Sequence, residues 1–121
     1  HMKHKEYDDK FLDLSLSFKL LGNPLRLKLF RLLLERDMCV CELEAIMKSE
    51  QSRISHSLRP LKLLKIVKSH YEGKMVIYSL DNFAYESGIA ELVEKNIDLS
   101  KRDKALINAV CSTSPRCGLT G

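Results

Sequence analysis

The apolar positions of this chain recur mostly at the spacing of an amphipathic helix, three or four residues apart. Leucine and phenylalanine follow this spacing over 8–21 and again over 24–35. Between these two segments, Gly22-Asn23-Pro24 ends the first helix, because proline restricts the backbone and suits the first turn of a following helix. The same spacing predicts further helices over 40–47, 50–64, 82–96 and 100–110.

Two β-rich runs interrupt the helical pattern, at 66–71 and 75–80, and a glycine turn separates them. This arrangement is typical of a β-hairpin. The hairpin directly follows two short predicted helices joined by a tight turn, in which Ser49 is the expected N-cap. The sequence therefore predicts a mainly α fold with a small β-hairpin, a winged helix-turn-helix.

A proline, Pro60, falls inside the second helix of this helix-turn-helix. Proline removes one backbone hydrogen bond and crowds the carbonyl four residues earlier, at His56. Because the apolar spacing continues on both sides of Pro60, we expect a local kink within a helix that continues.

The composition is that of a folded protein, with 121 residues of which 45% are hydrophobic. No apolar run approaches the roughly 20 residues of a membrane span, and the charged N-terminus does not resemble a signal peptide. We therefore expect a cytoplasmic protein without a membrane partner. The net charge is only +4, but residues 24–74 carry eleven basic against six acidic side chains. The positive charge thus concentrates on the predicted helix-turn-helix and wing.

Four cysteines, Cys39, Cys41, Cys111 and Cys117, form two close pairs. In a cytoplasmic chain such pairs are more often metal ligands or redox centres than structural disulfides. The second pair follows the last predicted helix, in a segment rich in Ser, Thr, Pro and Gly. We expect one domain over 1–110 and a flexible cysteine-containing tail over 111–121.

Three stretches resemble the ArsR/SmtB family of metal-responsive repressors. LLGNPLRLKL at 20–29 resembles the opening of the family's domain, and QSRISHSL at 51–58 resembles its recognition helix. MCVCEL at 38–43 is similar to the metal motif of the arsenic-sensing branch. The likeness extends over about 18–92. It implies a homodimer, held by the first and fifth helices at the two ends of the domain, that leaves its double-stranded operator when an inducer binds.

The resemblance also places the second helix of the helix-turn-helix in the major groove of DNA, with its N-terminal side chains toward the bases. Glutamine can pair with adenine and arginine with guanine, whereas basic residues farther along contact phosphates. The expected DNA-binding residues are Gln51, Ser52, Arg53, Ser55, His56, Arg59 and Lys74. The acidic Glu72 at the wing tip departs from a strongly basic wing.

The cysteine motif favours a soft ion, because thiolates are soft ligands. As(III) or Sb(III), which bind three sulfurs, are the expected inducers, and no organic cofactor is expected. On an ideal helix, the side chains of two residues separated by one residue point about 200° apart around the axis. Cys39 and Cys41 can therefore hold one ion only if the start of their helix is distorted.

The sequence leaves open which group would be the third ligand of the ion. Some arsenic motifs have a third cysteine where this chain has Glu44. The missing sulfur would come from Cys111 or Cys117, of the same or the partner subunit, or a hydroxide or added thiol would fill the position. The segment 82–96 contains no histidine, which argues against a zinc site there.

Three alternatives remain. Cd(II), Pb(II) or another thiophilic ion could replace arsenic at Cys39 and Cys41. The thiols could instead sense oxidants or sulfur species, with Cys111 and Cys117 as the natural disulfide partners. A thiol oxidoreductase using the C-x-C pair would be a different class of protein. No phosphate loop, carboxylate pair or nucleophile with its base accompanies that pair, so we expect no enzyme.

Overall fold

The computed structural model describes residues 6–113, and the side-chain surroundings of residues 6–110. It confirms the predicted fold class, a mainly helical domain with a small antiparallel sheet. In chain order the elements are α1 (Asp9–Leu21), α2 (Pro24–Glu35), β1 (Met38–Cys39), α3 (Val40–Met47), α4 (Gln51–Leu63), β2 (Val67–Glu72), β3 (Met75–Leu80), α5 (Asn82–Glu86), α6 (Ile89–Asn96) and α7 (Lys101–Thr113). None of the helices in this part of the chain is both long and apolar enough to cross a membrane.

Side-chain caps define where the first two helices begin. The Asp8 carboxylate accepts the N–H of Phe11 at 2.9 Å, and the Asn23 side chain accepts the N–H of Arg26 at 3.0 Å. The expectation for α4 is wrong, because its N-cap is Glu50 and no side chain caps it. The Ser49 hydroxyl is instead buried, without a hydrogen-bond partner among the described residues.

The centre of the core contains Phe30 and two leucines from each of α2 and α4, all of them 0% exposed: Leu29, Leu32, Leu58 and Leu61. Helix α4 runs through Pro60 without ending there, as predicted. Its inward face carries Ile54, Leu58 and Leu61, each 0% exposed. The apolar spacing on both sides of the proline therefore outweighs the one lost backbone hydrogen bond.

The sheet has the strand order β1-β3-β2, and its β2–β3 hairpin turns at Gly73, whose φ of 62° suits glycine. The hairpin confirms the predicted wing. Strand β1 was not predicted, since two residues are too few to show an alternating pattern. It pairs with β3 through Met38 opposite Tyr78 and Cys39 opposite Ile77.

The C-terminal part differs from the prediction in two respects. The single helix expected over 82–96 is divided into α5 and α6 at Gly88, whose φ is 84°. The end of α6 is joined to α2 by Arg31, which is buried and donates from Nε to the carbonyl of Ile97 at 2.6 Å. Helix α7, which packs against α3, ends at Thr113. The backbone at Cys111 is therefore helical, whereas the tail was expected to begin there; Cys117 lies outside the described residues.

Candidate metal centre and nucleic-acid interface

The helix-turn-helix consists of α3, a turn and α4. Lys48 ends α3 in the left-handed region with a φ of 51°, which directs the chain sharply into α4. The predicted DNA-binding side chains of α4 lie on its outward face. Ser55 is half-buried, and the others on this helix are exposed: Gln51, Ser52, Arg53, His56 and Arg59. Their positions suit a groove contact, and their roles toward DNA stay predictions.

The wing lies beside α4, and Lys74 is exposed next to its turn. His70 contacts the acidic Glu72 through its Nε2 at 3.0 Å, within the hairpin. At the base of the wing, burial raises the pKa of the Tyr78 hydroxyl, and the nearby positive charge of Arg59 partly opposes this. Arg59 therefore lies close to the junction between α4 and the sheet.

The two cysteines of the C-x-C motif lie at the point where β1 meets α3. Cys39 is the N-cap of α3 and has extended backbone angles (φ −76°, ψ 161°), whereas Cys41 is in the first turn. Because Cys39 precedes the helix, the angle of an ideal helix does not separate the two side chains. Their sulfurs are joined as a disulfide, with Cα atoms 5.3 Å apart. The two sulfurs therefore come together without the distortion of the helix start that was expected, because Cys39 precedes α3.

Cys39 also caps the helix that follows it. Its Sγ accepts the N–H of Glu42 at 3.3 Å, and Oε1 of Glu42 accepts the N–H of Cys39 at 2.8 Å. Both residues are 1% exposed. Sequence reasoning missed Glu42, although a cysteine followed three residues later by glutamate has the spacing of a capping box.

A cleft of about 170 Å³ opens beside the cysteines, between α3, the first residue of α4 and the wing. It brings Gln51 and Lys74, two predicted DNA-binding residues, next to the cysteine pair. The other lining residues are Val40, Glu44, Met75 and Val76. The sequence had not indicated this proximity, because it depends on the pairing of β1 with β3.

The remaining predicted ligands are not placed at the cleft. Cys111 lies in α7, and nothing is described of its side chain; Cys117 is outside the described residues. Within the described part of the chain, no three His, Cys, Asp or Glu side chains are grouped to hold a metal ion. The disulfide in the described part of the chain joins Cys39 to Cys41, and the pairing of Cys111 with Cys117 that was expected for redox sensing lies outside the described side chains.

A second surface of α1 and α6 is apolar and exposed. Phe11 is 57% exposed, Phe18 53% and Leu92 50%. A groove between the two helices is lined by apolar side chains that include Phe18, Leu27 and Leu92. These are the first helix and the second part of the helix predicted over 82–96, the two helices that were expected to hold a dimer.

A helix-turn-helix followed directly by a wing defines a winged-helix DNA-binding protein. The chain belongs to the arsR family of bacterial regulatory proteins, whose family model matches residues 23–69. It is 40% identical over 97 residues to a cadmium resistance transcriptional regulatory protein CadC homolog of Staphylococcus aureus, covering 79% of this chain and 76% of that protein.

Other relatives match a shorter part. The transcriptional repressor SmtB homolog of Synechocystis sp. is 43% identical over 63 residues, which are 52% of this chain and 48% of that protein. The chain thus spans about half the length of that relative. The HTH-type transcriptional regulator NmtR of Mycobacterium tuberculosis is 32% identical over 77 residues, 64% of this chain and 61% of that protein. The relatives are transcriptional regulators, so the oxidoreductase alternative is set aside.

Solved structures agree with the fold. HlyU from Vibrio cholerae N16961 superimposes with a TM-score of 0.65 at 24% identity, covering 73% of this chain and 95% of that one. Its reduced form gives a TM-score of 0.63 at 25% identity, covering 69% and 87%. At this level of identity the likeness concerns the fold alone.

Proposed function

We propose that this regulator is a homodimeric repressor that leaves its operator DNA when As(III) or Sb(III) binds to Cys39 and Cys41. The single observation that carries the proposal is the shared cleft, in which the cysteine pair lies against Gln51 and Lys74. A ligand at the cysteines therefore meets residues of the predicted DNA surface directly. The names of the relatives, which include cadmium resistance and a repressor, support a thiophilic ion as inducer.

The two cysteines fit a trivalent metalloid once their disulfide is reduced to two thiols. Arsenous acid, As(OH)₃, can react with two thiols: two arsenic–sulfur bonds replace two arsenic–oxygen bonds, the thiol protons leave with the hydroxyl groups as two water molecules, and one hydroxyl stays on arsenic. A third thiol can then displace this hydroxyl, which leaves as a third water molecule. Cys111 is one candidate for this third sulfur, because it belongs to helix α7, which packs against α3. Cys117 and a cysteine of the partner subunit are the other candidates.

Binding at the cysteines would disturb two elements at once. A sulfur bound to arsenic is a weaker acceptor for the N–H of Glu42, so the N-terminus of α3 loses part of its cap. Cys39 also pairs with Ile77 of the wing strand β3. A hundredfold loss of DNA affinity requires about 2.7 kcal/mol of coupling between the two sites, which a shift of α3 and the wing can supply.

On the DNA side, α4 would lie in the major groove. Gln51, Ser52, Arg53, Ser55 and His56 would face the bases, and Arg59 and Lys74 the phosphates. The apolar faces of α1 and α6 would bury each other in the dimer. The two recognition helices would then meet half-sites about one helical turn apart.

A second candidate is a thiol-based redox regulator, and the disulfide between Cys39 and Cys41 favours it. Oxidation of the two thiols by a peroxide forms the sulfur–sulfur bond, and the peroxide takes up both electrons and both protons. The disulfide would then set the geometry of the same helix start. This candidate keeps the fold and the DNA surface and changes only the signal.

The test is fluorescence anisotropy of a labelled operator fragment with the reduced protein, to which arsenite, Cd(II), Zn(II) or a peroxide is added. We expect arsenite to release the DNA from the wild type. In Cys39→Ser and in Cys41→Ser, the DNA should stay bound when arsenite is added. The affinity of each variant without inducer is the control for folding.

Release of the DNA by peroxide alone would show that the protein is a redox regulator. Release by Cd(II) alone would show that Cd(II), and not a metalloid, is the inducer. The variants Cys111→Ser and Cys117→Ser then locate the third sulfur. If the wild type does not bind its operator at all, the repressor itself is contradicted.

A further inference from the structure

The lining of the cleft beside the cysteines includes Met75, whose side chain carries a third sulfur atom. Met75 is the first residue of β3, next to the turn of the wing, and is partly buried. Sequence reasoning considered only cysteines as sulfur donors and therefore did not include it.

The register of the sheet directs Met75 toward Cys39. Cys39 lies directly opposite Ile77 across the β1–β3 pair, so both side chains project from the same face of the sheet. Side chains alternate along a strand, and Met75, two residues before Ile77, projects from that face as well. Such a diagonal neighbour is about 7–8 Å away or less, within reach of a long side chain. The lining of the cleft and the register of the sheet are two separate observations, and both place Met75 close to Cys39.

We propose that Met75 completes a three-sulfur site with Cys39 and Cys41, and that this site binds a soft monovalent cation, Cu(I) or Ag(I). The proposal rests on the reduced cysteine pair being the inducer site, as the proposed function does, and extends it to a second class of ion. Two thiolates with one thioether are a donor set that selects Cu(I) over harder ions. Methionine has the flexibility to adjust its sulfur to the ion, because its side chain is unbranched.

The charges around the cleft suit this ion. Both thiols lose their protons when they bind, so one Cu(I) with two thiolates and a neutral thioether carries a net charge of −1. Lys74 lines the same cleft, and its positive charge would offset this negative charge. Glu44 also lines the cleft, but its carboxylate oxygens are hard donors that a soft cation does not select. Because Lys74 is a predicted DNA contact, its attraction to the loaded site would compete with DNA.

The test compares Met75→Leu with Met47→Leu in the full chain, reduced and without oxygen. Leucine conserves apolar volume at both positions, and Met47 lies at the end of α3, outside the lining of the cleft. Cu(I) affinity is measured by competition with a chromophoric Cu(I) chelator. Loss of an outer partner of a metal site already costs about 10- to 100-fold in affinity. We therefore expect Met75→Leu to lower the affinity for Cu(I) at least about tenfold and Met47→Leu to leave this affinity unchanged.

A spectroscopic measurement separates ligation from packing. The chain contains four methionines, whose methyl groups give separate carbon–proton NMR signals. Addition of Ag(I) should shift the signal that is missing in Met75→Leu, and the Cys39→Ser variant should lose this shift. An unshifted Met75 signal, or equal Cu(I) affinity in Met75→Leu and the wild type, would overturn the proposal.

Arsenite distinguishes this proposal from the proposed function. A hydroxyl can fill the third position on arsenic, so arsenite should still release DNA from Met75→Leu. If arsenite never releases DNA but Cu(I) binding depends on Met75, only the metalloid proposal fails. If Cu(I) binds equally well to Cys39→Ser, the three-sulfur site fails, whatever arsenite does.

Discussion

Cys39 has two roles at one position, since it is the N-cap of α3 and also one of the two sulfurs at the cleft. Its partner in the cap, Glu42, is as deeply buried as Cys39 itself. The backbone N–H of Cys39 therefore depends on Oε1 of Glu42 rather than on water. A chemical change at the sulfur would act on this closed pair of hydrogen bonds, which gives the proposed sensor site a direct connection to the helix-turn-helix.

Replacement of Glu42 tests this connection. Glu42→Ala removes the acceptor of the buried Cys39 N–H, so we expect the reduced protein to lose about 1–3 kcal/mol in its free energy of unfolding. Glu42→Gln keeps an oxygen at the same reach and should lose clearly less. Urea unfolding followed by circular dichroism measures both. Equal stability of Glu42→Ala and the wild type would contradict the role of the cap.

Among the elements, α7 is joined to α2 by an ion pair between Lys28 Nζ and Asp103 Oδ2, 2.7 Å apart. The hydrogen bond from Lys28 holds the pKa of Asp103 below its ordinary value of 3.8, and this effect exceeds the opposing effect of burial. A lowered carboxyl pKa contributes stability above the unfolded value, and this contribution is lost as the pH falls through the folded pKa.

Asp103→Asn should therefore destabilise the protein at pH 7, where the pair is intact. Because both side chains are partly exposed, we expect at most about 1 kcal/mol. The difference from the wild type should vanish in acid, below the lowered pKa of Asp103. Urea unfolding at both pH values measures it, with the exposed Asp98→Asn as the matched control. A difference that persists in acid would show that the ion pair is not its cause.

How far the elements could be predicted depended on how local their causes are. The bounds of α2 and α3 follow from a proline, a capping side chain and leucine spacing, all within a few residues, and both were predicted correctly. Strand β1 depends on a partner almost forty residues later, and its two residues have no pattern of their own. The cysteines could be predicted from their motif, but their neighbours Met75 and Lys74 could not, because only the β1–β3 pairing brings the wing to α3.

At the scale of the whole molecule, the exposed apolar faces of α1 and α6 are what a second copy of the chain would cover. Large side chains such as Phe18 and Leu92 are each about half exposed there. In a symmetric dimer, every interface residue occurs twice, once in each subunit. One substitution on this surface therefore changes two contacts, and it should separate the subunits while leaving the core of each one intact.

Leu92→Glu is the sharpest substitution for this purpose. It removes two leucines whose exposed half the dimer would bury, which is about half of the 1.5–3 kcal/mol of a fully buried leucine each, and it places two carboxylates in an apolar contact. We expect the dissociation constant of the dimer to rise at least about a hundredfold, as measured by sedimentation equilibrium. Leu63→Glu is the matched control, because Leu63 is 79% exposed at the end of α4 and does not line the groove between α1 and α6.

Circular dichroism should show the same helix content in both variants. Operator affinity should fall with the dimer in Leu92→Glu, because a monomer contacts only one half-site. Dimers of unchanged affinity in Leu92→Glu would show that the subunits meet elsewhere. In that case the spacing between the two α4 helices, and with it the expected spacing of the operator half-sites, would have to be derived from a different surface.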